Sequence, residues 1–174
     1  MGQFYPFKFN AEKAVEVILY IARRAPIPDV FHVCKILYFA DKYHLEQYGR
    51  FICGDYYIAM DNGPVPSRTY DIIKAVRDTQ QSFSFSEHAS DVFTLRGNQI
   101  SPSRDAYVEL LSQSDIESLD QAITEYGSET FSKLSELSHD DAWKAADQNS
   151  VIPIEKIASM LRDGDAIIEY LRNK

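Results

Sequence analysis

Between Pro28 and Tyr48 nothing interrupts a helical pattern, and Gly49 supplies a stop just past the last turn. Pro28 suits a first-turn position, because its missing N–H would have no partner inside the helix. On a wheel of about 100° per residue with His32 at zero, Val33, Cys34, Leu37, Ala40, Leu45 and Tyr48 share one arc. Phe31, Ile36, Tyr38, Phe39 and Tyr43 fill much of the remainder, which leaves Lys35, Lys42 and Glu46 as the exposed face. A helix so apolar around its circumference predicts a central, buried element. Asp41 and His44 fall inside the apolar arc, one turn apart. A buried carboxylate must be hydrogen-bonded or paired. The turn Asn62-Gly63-Pro64-Val65-Pro66-Ser67 is the nearest source of donors, so Asp41 is expected to pin that turn to the helix. Chemical or partner-contact roles for Asp41 and His44 are the alternatives.

The same periodicities organise the rest of the chain. Asn10 is a plausible N-cap for a helix through Arg24, with Ala14, Val17, Ile18 and Ile21 on one face. Tyr56–Met60 has strand composition, and the two prolines of the following turn make it rigid. A helix is expected from Ser67 to Asp78, then a polar loop over residues 79–90. Val92–Leu95 and Gln99–Ser101 read as a hairpin joined by Arg96-Gly97-Asn98. With Tyr56–Met60 it would make a small antiparallel sheet of about three strands. In the last third, Ser114 and Glu117 suggest a capping box for a helix that Gly127 ends. Phe131, Leu134 and Leu137 mark a short helix, Ser138 with Asp141 suggests a cap for one carrying Trp143, and helices follow at 153–162 and 165–172. The fold class is thus mainly α (α+β): a single-domain helical fold over residues 1–174 around a buried central helix.

Composition narrows the function classes. Hydrophobic residues make up 45% of the 174 and aromatics 13%, which supports a packed core and excludes disorder. No apolar run reaches the ~18–20 residues of a membrane span, and the N-terminus lacks a secretory pattern, so a cytoplasmic protein is expected. Two cysteines, Cys34 and Cys53, and four scattered histidines give neither a disulfide framework nor a zinc site. Up to Glu87, ten Lys or Arg balance ten Asp or Glu; from His88 on, eight face sixteen, which is the whole net charge of −8. That surface opposes nucleic acid and favours a basic partner. No GxSxG, HExxH or P-loop is present. His139-Asp140-Asp141 reads as helix capping ahead of metal ligation, and Cys34 as an inert core thiol. No catalytic, cofactor or metal residues are assigned.

The runs KILYFADKYHLEQYGR (Lys35–Arg50) and CGDYYIAMDNGPVPSRTYD (Cys53–Asp71) resemble the core signature of the Panacea domain, the SocA-like antitoxin family once known as a phage-associated domain of unknown function. LSELSHDDAWKAA (Leu134–Ala146) is a later echo, and the resemblance spans roughly Ala14–Ala146. Phe51, Cys53 and Asp61 depart from the residue types expected there. The resemblance implies a non-enzymatic antitoxin of a toxin–antitoxin pair that neutralises a cognate protein toxin by direct binding. Some relatives are thought to act as proteolytic adaptors, which adds a protease or chaperone as partner; a homodimer stays open. A DNA-binding regulator with a winged-helix-like element is the alternative, and a hydrolase using Asp41, His44 and His139 a remote third. Aromatic anchors beside a rigid corner suit an interface, so Tyr57, Arg68 and Tyr70, then Lys42 and Glu46, are the expected contacts. Asp41, His44, Gly63, Pro64, Pro66, Ser67 and Trp143 form the structural motif that holds the corner.

Overall fold

The computed structural model describes residues 4–78 and 86–174. It is mostly helical, as the periodicity predicts. Helix α1 (Ala11–Arg24) starts at Asn10, whose side chain accepts from Lys13 N, and leads to α2 (Val30–Tyr48). Strands β1 (Tyr57–Met60) and β2 (Gly63–Pro66) form a hairpin that runs directly into α3 (Ser67–Arg77). Helix α4 (Ser86–Val92) precedes a second hairpin, β3 (Phe93–Arg96) and β4 (Gln99–Pro102). Helices α5 (Gln113–Tyr126), α6 (Phe131–Ser138), α7 (Asp141–Ala145), α8 (Ile154–Ala158) and α9 (Gly164–Arg172) complete the chain.

The central helix is where the pattern placed it. Helix α2 packs against α1, α5, α6, α8, α9 and β2. Of its residues, Ile36, Leu37, Tyr38, Ala40 and Leu45 are essentially inaccessible. Its start lies two residues later than Pro28 suggests. Asp29 is the N-cap and accepts from His32 N, because a carboxylate can satisfy an orphan donor and a proline cannot. At the other end Gly49 takes φ +73°, the left-handed cap expected of glycine.

The sheet differs from the three-stranded expectation. The second strand of the first hairpin is the Gly63–Pro66 segment itself, paired Tyr57↔Pro66 through Met60↔Gly63. Proline tolerates this edge position because its lost donor is not needed there. The two hairpins stay separate, each with its own third segment. Ala59 and Tyr57 bond to residues 149–152, and Ile100 N donates to Pro28 O while Val30 N donates to Asn98 O. Strands of four residues carry little information about which neighbour they will pair with.

Three local boundaries also move. The capping box of α5 is Ser112 with Asp115, two residues N-terminal to Ser114 and Glu117. Asp140, in place of Ser138, caps the helix that carries Trp143. Helix α4 covers the end of the expected 79–90 loop, and residues 79–85 lie outside those described.

Candidate partner-binding site

The first hairpin is clamped to the helices by three ionisable side chains, and one of them is not the one expected. Asp41, 1% exposed, accepts from Ile52 N at 2.7 Å and from the Tyr57 hydroxyl at 2.6 Å. It therefore pins the chain leaving α2 and the start of β1, in place of the Gly63–Ser67 turn. Burial pushes its carboxyl up to about 7, against the two hydrogen bonds that favour the charge and with the Asp55 and Asp115 carboxylates adding to the rise.

That rise predicts a pH signature. A carboxyl whose folded value exceeds the unfolded value of about 3.8 contributes stability that is full below that pH and is lost as pH climbs through about 7. Asp41→Asn keeps an acceptor for Ile52 N and a polar partner for Tyr57, so denaturation midpoints of this variant should fall less between about pH 4 and 7 than those of the wild type. Asp41→Ala leaves two buried donors unpaired and should cost about 1–3 kcal/mol. A wild-type pH slope in Asp41→Asn would show that another group carries it.

Asp55 does the work assigned to Asp41. Helix α3 begins at Pro66, which has no side-chain acceptor. The Asp55 carboxylate, distant in sequence, accepts from Arg68 N at 3.0 Å, Thr69 N at 2.8 Å and Thr69 Oγ1 at 2.8 Å, and also from Tyr56 N. It is a remote cap that ties the strand entry to the helix start. Burial raises its carboxyl despite those bonds.

The third clamp is Lys35. Its ammonium donates to Pro64 O at 2.8 Å and lies 4.9 Å from the Phe31 ring centroid. Only 1% of the residue is exposed, whereas a helical wheel assigns it to the solvent. At the hairpin tip, Gly63 takes φ +114° with its α-carbon against Ser138 and the Lys35 stem, so only glycine fits.

The far side of the hairpin is held by the 139–143 segment. Trp143 Nε1 donates to Met60 O at 2.8 Å, His139 Nε2 is 3.0 Å from Asp61 O, and the two rings stack at 3.9 Å. Asp140 accepts from Tyr38, Lys42 and Trp143 N, which links α2 to the start of α7. Trp143 thus contacts the hairpin at Met60. His44 does not reach it; its ring bonds Arg50 O and Ser114 Oγ near Asp115.

The expected contacts scatter. Tyr57 is 1% exposed, its hydroxyl spent on Asp41 and its ring edge-on to Tyr38, so it is core and cannot meet a partner. Lys42 is half-buried on Asp140, and Glu46 accepts from Arg162 N, so the C-terminal part of the chain covers the face assigned to them. Arg68 is exposed and Tyr70 half-buried. Tyr70 lines a groove of about 400 Å³ at the corner, together with Phe31, Lys35, Met60, Val65 and Phe131. Phe131, half exposed and 4.2 Å from the Phe31 ring, is a groove residue the periodicity had assigned only to a helix face.

Asp41, His44 and His139 are each engaged with different partners, so the structure does not assemble them into one site. Among the described residues no group of three or more His, Cys, Asp or Glu could hold a metal ion. Burial pushes the Cys34 thiol up to about 12 and raises the Cys53 thiol well above its ordinary value, as for inert core thiols. No helix among the described residues is long and apolar enough to cross a membrane.

A central helix, a clamped hairpin and a histidine–tryptophan segment docked on its tip define the class of fold. The family model described as "Antitoxin SocA-like, Panacea domain" matches residues 33–144, more than half of the chain, and the protein belongs to that family. The match takes in α2 from Val33 onward, both hairpins and Trp143. No curated protein and no solved structure matches the chain.

Proposed function

We propose that this chain is a cytoplasmic, non-catalytic antitoxin that neutralises a cognate protein toxin by direct binding, with residues 1–174 acting as one domain. Family membership carries the reading, since an antitoxin family implies a toxin partner. The corner groove supports it as the contact face. It combines a rigid backbone with Tyr70, Phe31 and Phe131, and aromatic side chains on a fixed frame supply contact area at low entropic cost.

Co-expression with the small open reading frame beside its gene tests the proposal. The neighbour should arrest growth alone and be rescued by this chain. Tyr70→Ala and Phe131→Ala should each weaken binding by about 2 kcal/mol, a hot-spot loss, while leaving the denaturation midpoint close to wild type. Failure to rescue from a toxic neighbour defeats the reading. Rescue indifferent to both substitutions moves the contact face elsewhere. A toxin level that falls in protease-proficient cells and holds in protease-deficient ones assigns the adaptor route; an unchanged level in both assigns neutralisation by binding alone.

A further inference from the structure

Large apolar side chains exposed singly are ordinary on a protein surface, and only a contiguous group of them marks a contact site. Tyr107, Val108 and Leu110 expose three such side chains within four residues, each at least 40% accessible. They belong to the short 3₁₀ helix Val108–Leu110 and the residue before it. The backbone there is fixed on both sides. Tyr107 N donates to Glu16 Oε1 at 2.7 Å. Arg104 grips the same carboxylate at 2.8 and 3.0 Å, and its guanidinium lies 3.7 Å from the Tyr107 ring centroid. On the C-terminal side Leu111 is buried in the core. Beside the segment is a hollow of about 430 Å³ whose apolar walls are Ala11, Val15, Val92 and Leu110. It shares no lining residue with the corner groove.

The unbalanced charge around this hollow is of one sign. Arg104 is the cation among the lining residues, and Glu16 takes up its charge. Glu12, on the wall of the hollow, and Glu109, between Val108 and Leu110, are both exposed. Neither has an ion-pair partner among the described residues. We propose that this face is a second docking site, and that it takes a segment of a partner protein in which apolar side chains are flanked by lysine or arginine. The apolar side chains fill the hollow and cover Tyr107, Val108 and Leu110, and the flanking cations reach Glu12 and Glu109. A fixed backbone under exposed anchors lowers the ordering cost of binding. The two carboxylates select the sign of what binds. The net charge of −8 acts in the same direction, since it draws basic segments and repels anionic lipid headgroups and nucleic acid. The site stands apart from the antitoxin reading and does not require that its occupant be the toxin.

The full chain, labelled at its valine and leucine methyls, is titrated with acetyl-Lys-Leu-Ala-Ala-Leu-Lys-amide at about 0.15 M salt. Saturable shifts of the Val15, Val92 and Leu110 methyls are expected, with Kd on the order of 1 mM. The peptide with glutamate in place of both lysines should bind at least about tenfold more weakly, and so should the one with serine in place of both leucines. A Glu12→Gln/Glu109→Gln chain should narrow the preference for lysine over glutamate to about threefold. Both of its substitutions are at exposed positions, so its fold is expected to hold. Leu110→Ser should lose saturable binding with a denaturation midpoint near wild type, and Tyr70→Ala, in the corner groove, should bind as wild type. No saturable shift, equal binding of the lysine and glutamate peptides, or an unchanged preference in the double variant overturns the proposal. Binding that survives Leu110→Ser or is lost in Tyr70→Ala overturns its placement. Sedimentation of the free chain decides the other occupant: self-association that Leu110→Ser disperses makes this face a contact between two copies and overturns the proposal. Rescue or its failure in the growth assay bears on the antitoxin reading alone.

Discussion

Asp55→Ala is expected to destabilise the protein by about 4 kcal/mol, the largest loss from any single polar substitution in the hairpin. The carboxylate accepts four hydrogen bonds and is fully buried. Truncation leaves Thr69 N and the Thr69 hydroxyl in a site that water does not reach, each an unsatisfied donor costing about 1–3 kcal/mol. It also removes the side-chain cap of α3, because Pro66 offers none. Asp55→Asn keeps one carbonyl oxygen for Tyr56 N and Arg68 N but turns an amide toward the Thr69 donors, so its cost should be about half. Urea denaturation would read both: the midpoint shifts and the slope stays constant if the fold is intact. A near-wild-type Asp55→Ala midpoint would mean that water or a shifted α3 replaces the carboxylate.

The contrast between Asp55 and Asp41 shows what was readable in advance and what was not. That α2 is central follows from its own residues, since an apolar circumference leaves it no surface to expose. Burial of Asp41 and His44 follows from the same wheel. Their partners do not, because a helix wheel gives direction and says nothing of what the chain brings back against that face. The Gly63–Ser67 corner had two carboxylates within reach in sequence. The choice of Asp55 was set by the pairing of Tyr57 with Pro66, a tertiary fact about which strand lies beside which. One signal was available: a helix opening on Pro66-Ser67 lacks its own acceptor, so an acid elsewhere must supply it.

Charged residues misled for a related reason. Lys35, Lys42 and Glu46 share one helical face, and charge ordinarily marks a face as solvated. Here β2 covers Lys35, Asp140 takes Lys42, and Arg162 N takes Glu46. Tyr57 misled in the opposite sense. A tyrosine looks amphipathic and so available, but Asp41 satisfies its hydroxyl inside the core. The Panacea signature, by contrast, was legible as a string, because the residues that build the corner lie close together in sequence.

Lys35→Met should make the protein more stable, by about 2–3 kcal/mol at pH 7. Burial lowers the lysine from an ordinary value of 10.5 to about 8, with the Cys34 side chain opposing the drop. For a base with a depressed folded value the sign is definite. At pH below about 8 the ammonium is charged in both states and its burial costs the full shift. As pH rises from about 8 to 10.5 the folded chain sheds the proton first, and stability climbs. Methionine fills a similar volume without the charge, and it forfeits about 1 kcal/mol for the bond to Pro64 O, which is why the gain falls short of the whole shift. Thermal or urea unfolding at pH 7 and at pH 10 separates the two contributions: the variant should lead the wild type at pH 7, and the gap should narrow at pH 10. A destabilised Lys35→Met would show that the Pro64 bond outweighs the desolvation of the charge.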